Sequence, residues 1–142
     1  MKYSITLFLL FVNLICFSQS IKETELIGKW RVEKIVGNIP KMPKKDQQQK
    51  MDLLIKAFKN STFEFKSNHI FNLNINFPEL RNIMNNTHWK FKSESYIMIQ
   101  EKKYKDENKD KYELMGIKVL RKEGGVFFTM TESPFVLKMK KN

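Results

Sequence analysis

Residues 71–77, Phe-Asn-Leu-Asn-Ile-Asn-Phe, alternate strictly between large apolar and small polar side chains. Successive side chains of a β-strand point to opposite faces of its sheet, so this period of two predicts a strand with one buried and one hydrated face. The three asparagines belong to the hydrated face. Phe71, Leu73 and Ile75 are therefore predicted to point into the core of a β-rich domain.

The same alternation recurs on both sides of this segment. Thr62–Phe65 shows it just before, and His88–Phe91 shows it after. Short polar connections, Ser67-Asn68 and Gly124-Gly125 among them, favour tight hairpin turns. Further strands are predicted near Trp30–Lys34 and over Tyr96–Lys102, Tyr112–Arg121, Val126–Thr131 and Phe135–Met139. The pattern predicts a mainly β fold, an antiparallel up-and-down β-barrel of about eight strands.

One segment between the first two strands has a different period. Lys45–Lys59 carries apolar residues at the i, i+3, i+4 and i+7 positions of an amphipathic helix, namely Met51, Leu54, Ile55 and Phe58. Asp46 is the candidate N-cap. We expect this helix to cover one mouth of the barrel; the alternative is that its basic flank lets it lie on a membrane surface. A second, brief helical or irregular piece is expected around Pro78–Asn85.

Residues Met1–Ser20 have the three parts of a bacterial-type signal peptide. A positive start precedes the apolar run Ile5–Phe17, which is shorter than the ~20 residues that span a bilayer. Small residues near its end would let a signal peptidase release either Gln19 or Ile21 as the first residue. Residues 21–142 are then one predicted domain, which we expect to be periplasmic or secreted.

Cys16, the single cysteine, offers an alternative localisation. A cysteine at the end of an apolar leader can become the lipidated first residue of a lipoprotein, which would anchor the chain through Cys16. The residues before it, Asn13 and Ile15, differ from the small residues that lipid attachment prefers. A single cysteine also allows no intramolecular disulfide, so the domain must draw its stability from its core.

The net charge of +11 favours interaction with anionic surfaces. The lysines are dispersed, with groups in Lys41–Lys45, Lys102–Lys111 and Lys138–Lys141. We expect solvated loops that could contact an anionic envelope surface or a protein partner. Nucleic acid is not an expected partner, because the aromatic residues follow the buried face of the strands and are not interleaved with exposed basic residues.

Catalytic and metal-binding patterns are missing from the sequence. His69 and His88, the two histidines, have no Cys, Asp or Glu at metal-ligand spacing, although both begin predicted strands and could be neighbours in space. No phosphate-binding loop, nucleophile elbow or pair of catalytic carboxylates is recognisable. We therefore expect a protein that is not an enzyme, with no metal site and no cofactor.

Three short motifs carry a family resemblance. Gly28-Lys29-Trp30 is followed by Thr62-Phe63-Glu64-Phe65 and then by His88-Trp89-Lys90-Phe91. In this order, over residues 24–141, the chain resembles the small exported lipocalin-like, or calycin-type, proteins of Bacteroidota. Independently of any family, a glycine allows a close turn at the barrel floor, and a large indole can plug the narrow end while its N–H finds a partner.

The resemblance implies roles for particular residues. In lipocalins an arginine from a late strand packs over the tryptophan, so Gly28, Trp30 and Arg121 would form a structural plug. It also implies a small hydrophobic ligand inside the barrel, for which twelve phenylalanines and eight methionines would supply an adaptable wall. The candidate ligand-binding residues are Phe63, Phe65, Phe71, Leu73, Ile75, Trp89 and Phe91.

A second function stays open. The same residues could simply fill the barrel, because eight strands enclose either packed side chains or one small ligand. The protein would then be an envelope or secreted interaction module, or an inhibitor, that uses the basic loops Lys41–Lys45 and Lys102–Lys111. A continuous internal cavity would favour ligand binding, whereas a filled core would favour the interaction module.

Overall fold

A computed structural model describes residues 20–142 of the chain. The signal peptide predicted over Met1–Ser20, with Cys16 and the cleavage site before Gln19, lies outside the described residues except for Ser20 itself. Within the described part of the chain, no helix is long and apolar enough to cross a membrane.

Eight antiparallel strands close into a barrel in which each strand pairs with the next in the chain and the last pairs with the first. The predicted fold class is therefore confirmed. The strands are β1 (Gly28–Val36), β2 (Thr62–Phe65), β3 (Ile70–Asn74), β4 (Thr87–Ser93), β5 (Tyr96–Gln100), β6 (Glu113–Lys122), β7 (Gly125–Met130) and β8 (Val136–Lys141).

Within residues 20–142, three α-helices accompany the barrel: α1 (Glu23–Leu26), α2 (Lys45–Lys59) and α3 (Pro78–Met84). Helix α2 lies between β1 and β2, as its apolar period predicts. The predicted N-cap Asp46 is wrong, because the helix begins at Lys45 and places Asp46 inside the first turn. The side chain of Gln48 instead folds back and accepts a hydrogen bond from the backbone N–H of Met42 at 2.8 Å, which ties the first turn to the preceding loop.

The connections divide the barrel into two unlike ends. Because neighbouring strands run in opposite directions, alternate connections lie at the same end. The turn end carries the short links β2–β3, β4–β5 and β6–β7 together with α1. The helical end carries α2, α3, two 3₁₀ turns between β5 and β6 (Lys102–Tyr104 and Asp110–Tyr112), and the loop 131–135.

Strand β3 is shorter than the alternation of residues 71–77 predicts, since it ends at Asn74. Ile75 remains buried, but Phe77 lies beside the first turn of α3, where it is half-buried. Pro78 occupies the first helical turn, a position that suits its fixed φ and missing N–H. The side chain of Asn85 then accepts the backbone N–H of Leu73 at 3.0 Å, in place of a longer ladder to β4.

Aromatic rings fill the middle of the barrel. The ring centroid of Phe65 lies 5.1 Å from that of Phe71, 5.6 Å from that of Trp89 and 6.0 Å from that of Phe128. The tilted and edge-on arrangements of these pairs are the ones that aromatic quadrupoles favour. All four side chains are fully buried, so this part of the interior is packed core.

Candidate functional site

The candidate ligand-binding residues from the sequence lie in that core or beside it. Phe91 is half-buried. The other six are at most 1% exposed and belong to one hydrophobic cluster: Phe63, Phe65, Phe71, Leu73, Ile75 and Trp89. None of the seven lines the cavity described next. Ligand binding by these residues stays a prediction.

A cavity of about 310 Å³ lies at the helical end. Nine of its thirteen lining residues are apolar, which makes it a pocket suited to an apolar guest. They come from three connections of the barrel that are distant in sequence and from the neighbouring ends of β6 and β7. The lining is Leu54, Phe58, Phe77, Leu80, Met84, Glu113, Leu114, Met115, Met130, Thr131, Glu132, Ser133 and Phe135.

The cavity floor is shared with the barrel core. Phe58, Met84, Met130 and Phe135 line the cavity and also belong to the buried hydrophobic cluster. The rings of Phe58 and Phe135 lie 5.6 Å apart and join α2 to the loop before β8. The amphipathic face of α2 thus covers the mouth of the barrel without filling it.

Two helices beside the cavity carry exposed apolar side chains. Leu53 on α2 is 61% exposed and Ile83 on α3 is 54% exposed, and these are the exposed large apolar side chains of residues 20–142. Leu54, Leu80 and Phe77 are half-buried at the cavity itself. Leu53 and Ile83 themselves do not line the cavity.

The polar part of the rim is organised by a tyrosine. The hydroxyl of Tyr96 donates to Oε1 of Glu113 at 2.7 Å. Burial, together with this carboxylate, raises the pKa of Tyr96 to about 12. Gly116 lies beneath the ring, and a Cβ on it would approach the tyrosine oxygen to 1.9 Å. A glycine is therefore required there for Tyr96 to reach Glu113.

Sequence reasoning missed most of this cavity. It identified Leu54 and Phe58 through the helical period, but it assigned them to core packing against the barrel. Leu80 and Met84 have an i, i+4 spacing that could have shown an apolar face on α3. The cavity residues of β6, β7 and the loop before β8 carry no local signal, because what they share is their position at one end of the barrel.

The predicted plug residues lie at the turn end. Trp30 is 4% exposed, and its indole N–H donates to the backbone oxygen of Leu26 at 2.8 Å. The cation over its ring is Lys141, whose Nζ is 5.6 Å from the ring centroid. Arg121 instead pairs with Glu25 of α1 at 3.0 Å. Arg121 thereby joins β6 to the helix that precedes the tryptophan.

Gly28 begins β1 with a φ of +136°, in the region that favours glycine. A Cβ at this position would also lie 2.8 Å from Cε of Lys141. The glycine lets the chain pass from α1 into the first strand close to the end of the last strand.

The two histidines are neighbours where β3 and β4 pair, with ring centroids 5.8 Å apart. Nε2 of His69 lies 2.6 Å from Oε1 of Glu23, which occupies that side of the ring. Burial, followed by the positive charges of His69 and Lys90, lowers the pKa of His88. Within residues 20–142, no group of three or more His, Cys, Asp or Glu side chains could hold a metal ion.

The two basic loops differ in how firmly they are held. Loop 101–112 is fastened to β4, because Nζ of Lys90 donates to the backbone oxygens of Lys105 and Glu107 at 2.9 and 2.6 Å. Lys103 also pairs with Glu101 at 2.8 Å. In Lys41–Lys45, by contrast, all three lysines are exposed.

Comparison of the sequence with protein-family models finds no match, and comparisons with curated proteins and with solved structures find no significant match. The class of protein follows from the fold and the site alone. It is a closed eight-stranded antiparallel β-barrel whose helix-covered end contains an apolar cavity.

Proposed function

We propose that the protein is an exported lipocalin-like domain that binds a small hydrophobic molecule in the cavity at the helical end. The observation that carries the proposal is the apolar cavity lined by α2, α3 and the strands and loop at the helical end. The lipocalin-like assignment is supported by the closed barrel and by the Gly28-Lys29-Trp30 opening at its turn end.

The cavity volume sets the size of the guest. At ~30 Å³ per water-sized group, a volume of about 310 Å³ accommodates about ten non-hydrogen atoms. Burying about ten methylene groups at ~0.8 kcal/mol each provides up to about 8 kcal/mol, which corresponds to a Kd near 1 μM before the cost of association. We therefore expect a Kd no tighter than about 1 μM for a saturated alcohol of that length, because the cost of association weakens binding from this limit.

Calorimetric titration with 1-decanol tests the site with a matched pair of variants. Leu54→Trp places an indole in the cavity, whereas Leu53→Trp adds the same side chain one residue away, on the exposed face of α2. We expect Leu54→Trp to weaken binding by about tenfold or more and Leu53→Trp to change it less than about twofold. Equal effects of the two variants, or no binding by the wild type, would count against the proposal.

The export part of the proposal rests on the pattern of Met1–Ser20. The intact mass of the protein purified from its own host tests it. A chain that begins at Gln19 or Ile21 would support a released product, and a diacylated Cys16 would indicate a membrane-anchored one. A chain that still begins at Met1 would contradict export.

The interaction module is the second candidate function, because aromatic rings pack the middle of the barrel. Its partner surface would be the exposed Lys41–Lys45 loop. Binding to vesicles that contain anionic lipid should then fall as salt rises from about 20 to about 300 mM. Replacing Lys41, Lys44 and Lys45 together with glutamate should abolish binding to these vesicles. Binding that changes neither with salt nor with this triple substitution would contradict this function.

A further inference from the structure

We propose that the cavity selects an amphiphile with a positively charged head group, an alkylammonium ion of about ten carbon atoms. This inference rests on the proposed function and adds the chemistry of the ligand. The charged side chains that line the cavity are Glu113 and Glu132, and within residues 20–142 no lysine or arginine lines it. This acidic rim belongs to a chain whose net charge is +11, so it is opposite in sign to the molecule as a whole.

Glu113 is placed to receive an ammonium group. Its Oε1 accepts the hydroxyl of Tyr96 at 2.7 Å, which fixes the carboxylate at the start of β6. The hydrogen bonds described for residues 20–142 leave Oε2 without a protein donor. A fixed carboxylate with one free oxygen can accept a charge-assisted hydrogen bond without first reorganising.

Glu132 provides the second negative charge. It lies in the loop between β7 and β8, is exposed, and takes part in none of the salt bridges formed within residues 20–142. Thr131 and Ser133, on either side of it, also line the cavity. Carboxylates from the start of β6 and from the β7–β8 loop therefore line the same cavity.

Lys92 is held by a carboxylate outside the cavity lining. It forms its salt bridge with Asp110, and the negative charge of Glu113 also helps to raise the pKa of Lys92. The two charged side chains of the lining are both carboxylates, so they attract a cation and repel a fatty-acid carboxylate.

Three probes with the same chain and different head groups test the inference: decylamine, 1-decanol and decanoate, each titrated at neutral pH below its micelle concentration. Near neutral pH the amine is cationic and the acid is anionic. We expect decylamine to bind about 2–5-fold more tightly than decanol and decanoate to bind more weakly by a similar factor, because each partly exposed charge contact is modest. Raising the salt concentration from about 20 to about 300 mM should reduce the differences in affinity among the three probes.

The double variant Glu113→Gln with Glu132→Gln removes both negative charges and keeps side chains of similar size. It therefore separates the effect of the rim's charge on binding from the effect of its shape. The glutamine oxygen can still accept the Tyr96 hydroxyl, so the rim should keep its form. We expect the three probes to converge to within about twofold while decanol affinity is unchanged. Glu94→Gln, which removes one negative charge at the β4–β5 turn on the other end of the barrel, is the matched control and should preserve the order of the probes.

The outcomes separate this inference from the proposed function. If decanoate binds as tightly as decylamine, or if the double variant keeps the preference for decylamine, charge selection is wrong while hydrophobic binding stands. If Leu54→Trp fails to weaken any of the probes, or if none of them binds, the cavity is not a ligand site and both proposals fail.

Discussion

Replacing Phe71 or Phe77 with alanine tests which part of the barrel is core and which is binding site. The two residues begin and end the same alternating segment, and the alternation assigns them to one face. Phe71 is fully buried, with its ring centroid 5.1 Å from that of Phe65 and 6.1 Å from that of Phe63. Phe77 is half-buried and lines the cavity. The same substitution should therefore have different consequences at the two positions.

The expected magnitudes follow from burial. Phe71→Ala removes a ring from a closely packed cluster and should lower the free energy of unfolding by about 3–5 kcal/mol. Phe77→Ala removes a ring that is already partly hydrated and should cost about 1 kcal/mol. At this chain length, ~3–6 °C of Tm per kcal/mol gives a drop of roughly 10–30 °C for Phe71→Ala and a few degrees for Phe77→Ala.

Urea unfolding followed by tryptophan fluorescence measures both variants, because Trp30 and Trp89 are buried in the folded barrel. The midpoint should fall while the slope stays near the wild-type value. Titration with 1-decanol supplies the second readout: Phe77→Ala should weaken binding about fivefold, and folded Phe71→Ala should bind within about twofold of wild type. If Phe71→Ala costs less than about 1.5 kcal/mol and abolishes binding, the barrel interior holds the ligand and the packed-core interpretation is wrong.

Three further predictions concern individual side chains. The pKa of Tyr96 is raised from 10.0 to about 12, so its neutral form stabilises the fold below about pH 10 and that contribution is lost as pH rises towards 12. Tyr96→Phe should remove this alkaline loss of stability from unfolding curves measured across the same pH range. A variant whose stability falls with pH as steeply as that of the wild type would contradict the prediction. Gly28→Ala should lower stability by about 1–3 kcal/mol through its positive φ, and truncating the nearby Lys141 to alanine in the same chain should not restore the urea midpoint. The pKa of His88 is depressed by burial, so the fold loses stability as pH falls below the ordinary value of 6.5. In His88→Gln, the free energy of unfolding should depend less on pH between neutral and mildly acidic conditions. An equally steep decline in the variant would show that other groups cause it.

The alternation of apolar residues predicted where strands lie, and the barrel confirms it. The predicted helix Lys45–Lys59 has the bounds that the structure shows. The strand prediction is wrong where the alternation continues past the end of a strand into the next element. The alternation through Phe77 extends beyond β3, because Pro78 begins α3 and turns the chain away from the sheet.

The candidate site was much harder to predict. Period-two patterns identify buried residues equally well whether they face a ligand or other side chains, so the ligand-binding role of Phe63 and Phe65 stays a prediction, although both are fully buried in the aromatic cluster. The charged residues that contact Trp30 and Arg121 are also distant from them in sequence. Trp30 was predicted to pack against Arg121, but the cation over its ring is Lys141, and Arg121 bonds Glu25.

The sequence by itself determined the strands, the amphipathic helix, the polar turns and hence the barrel, because each depends on a side-chain period that repeats over a few residues. Only the tertiary structure decided where space remains. The cavity lies where α2, α3, β6 and the loop before β8 meet, and its size depends on how three connections of different length close over one end. Its acidic rim has the same origin, because Glu113 and Glu132 are separated in the chain and become neighbours of one cavity only when β6 and β7 pair.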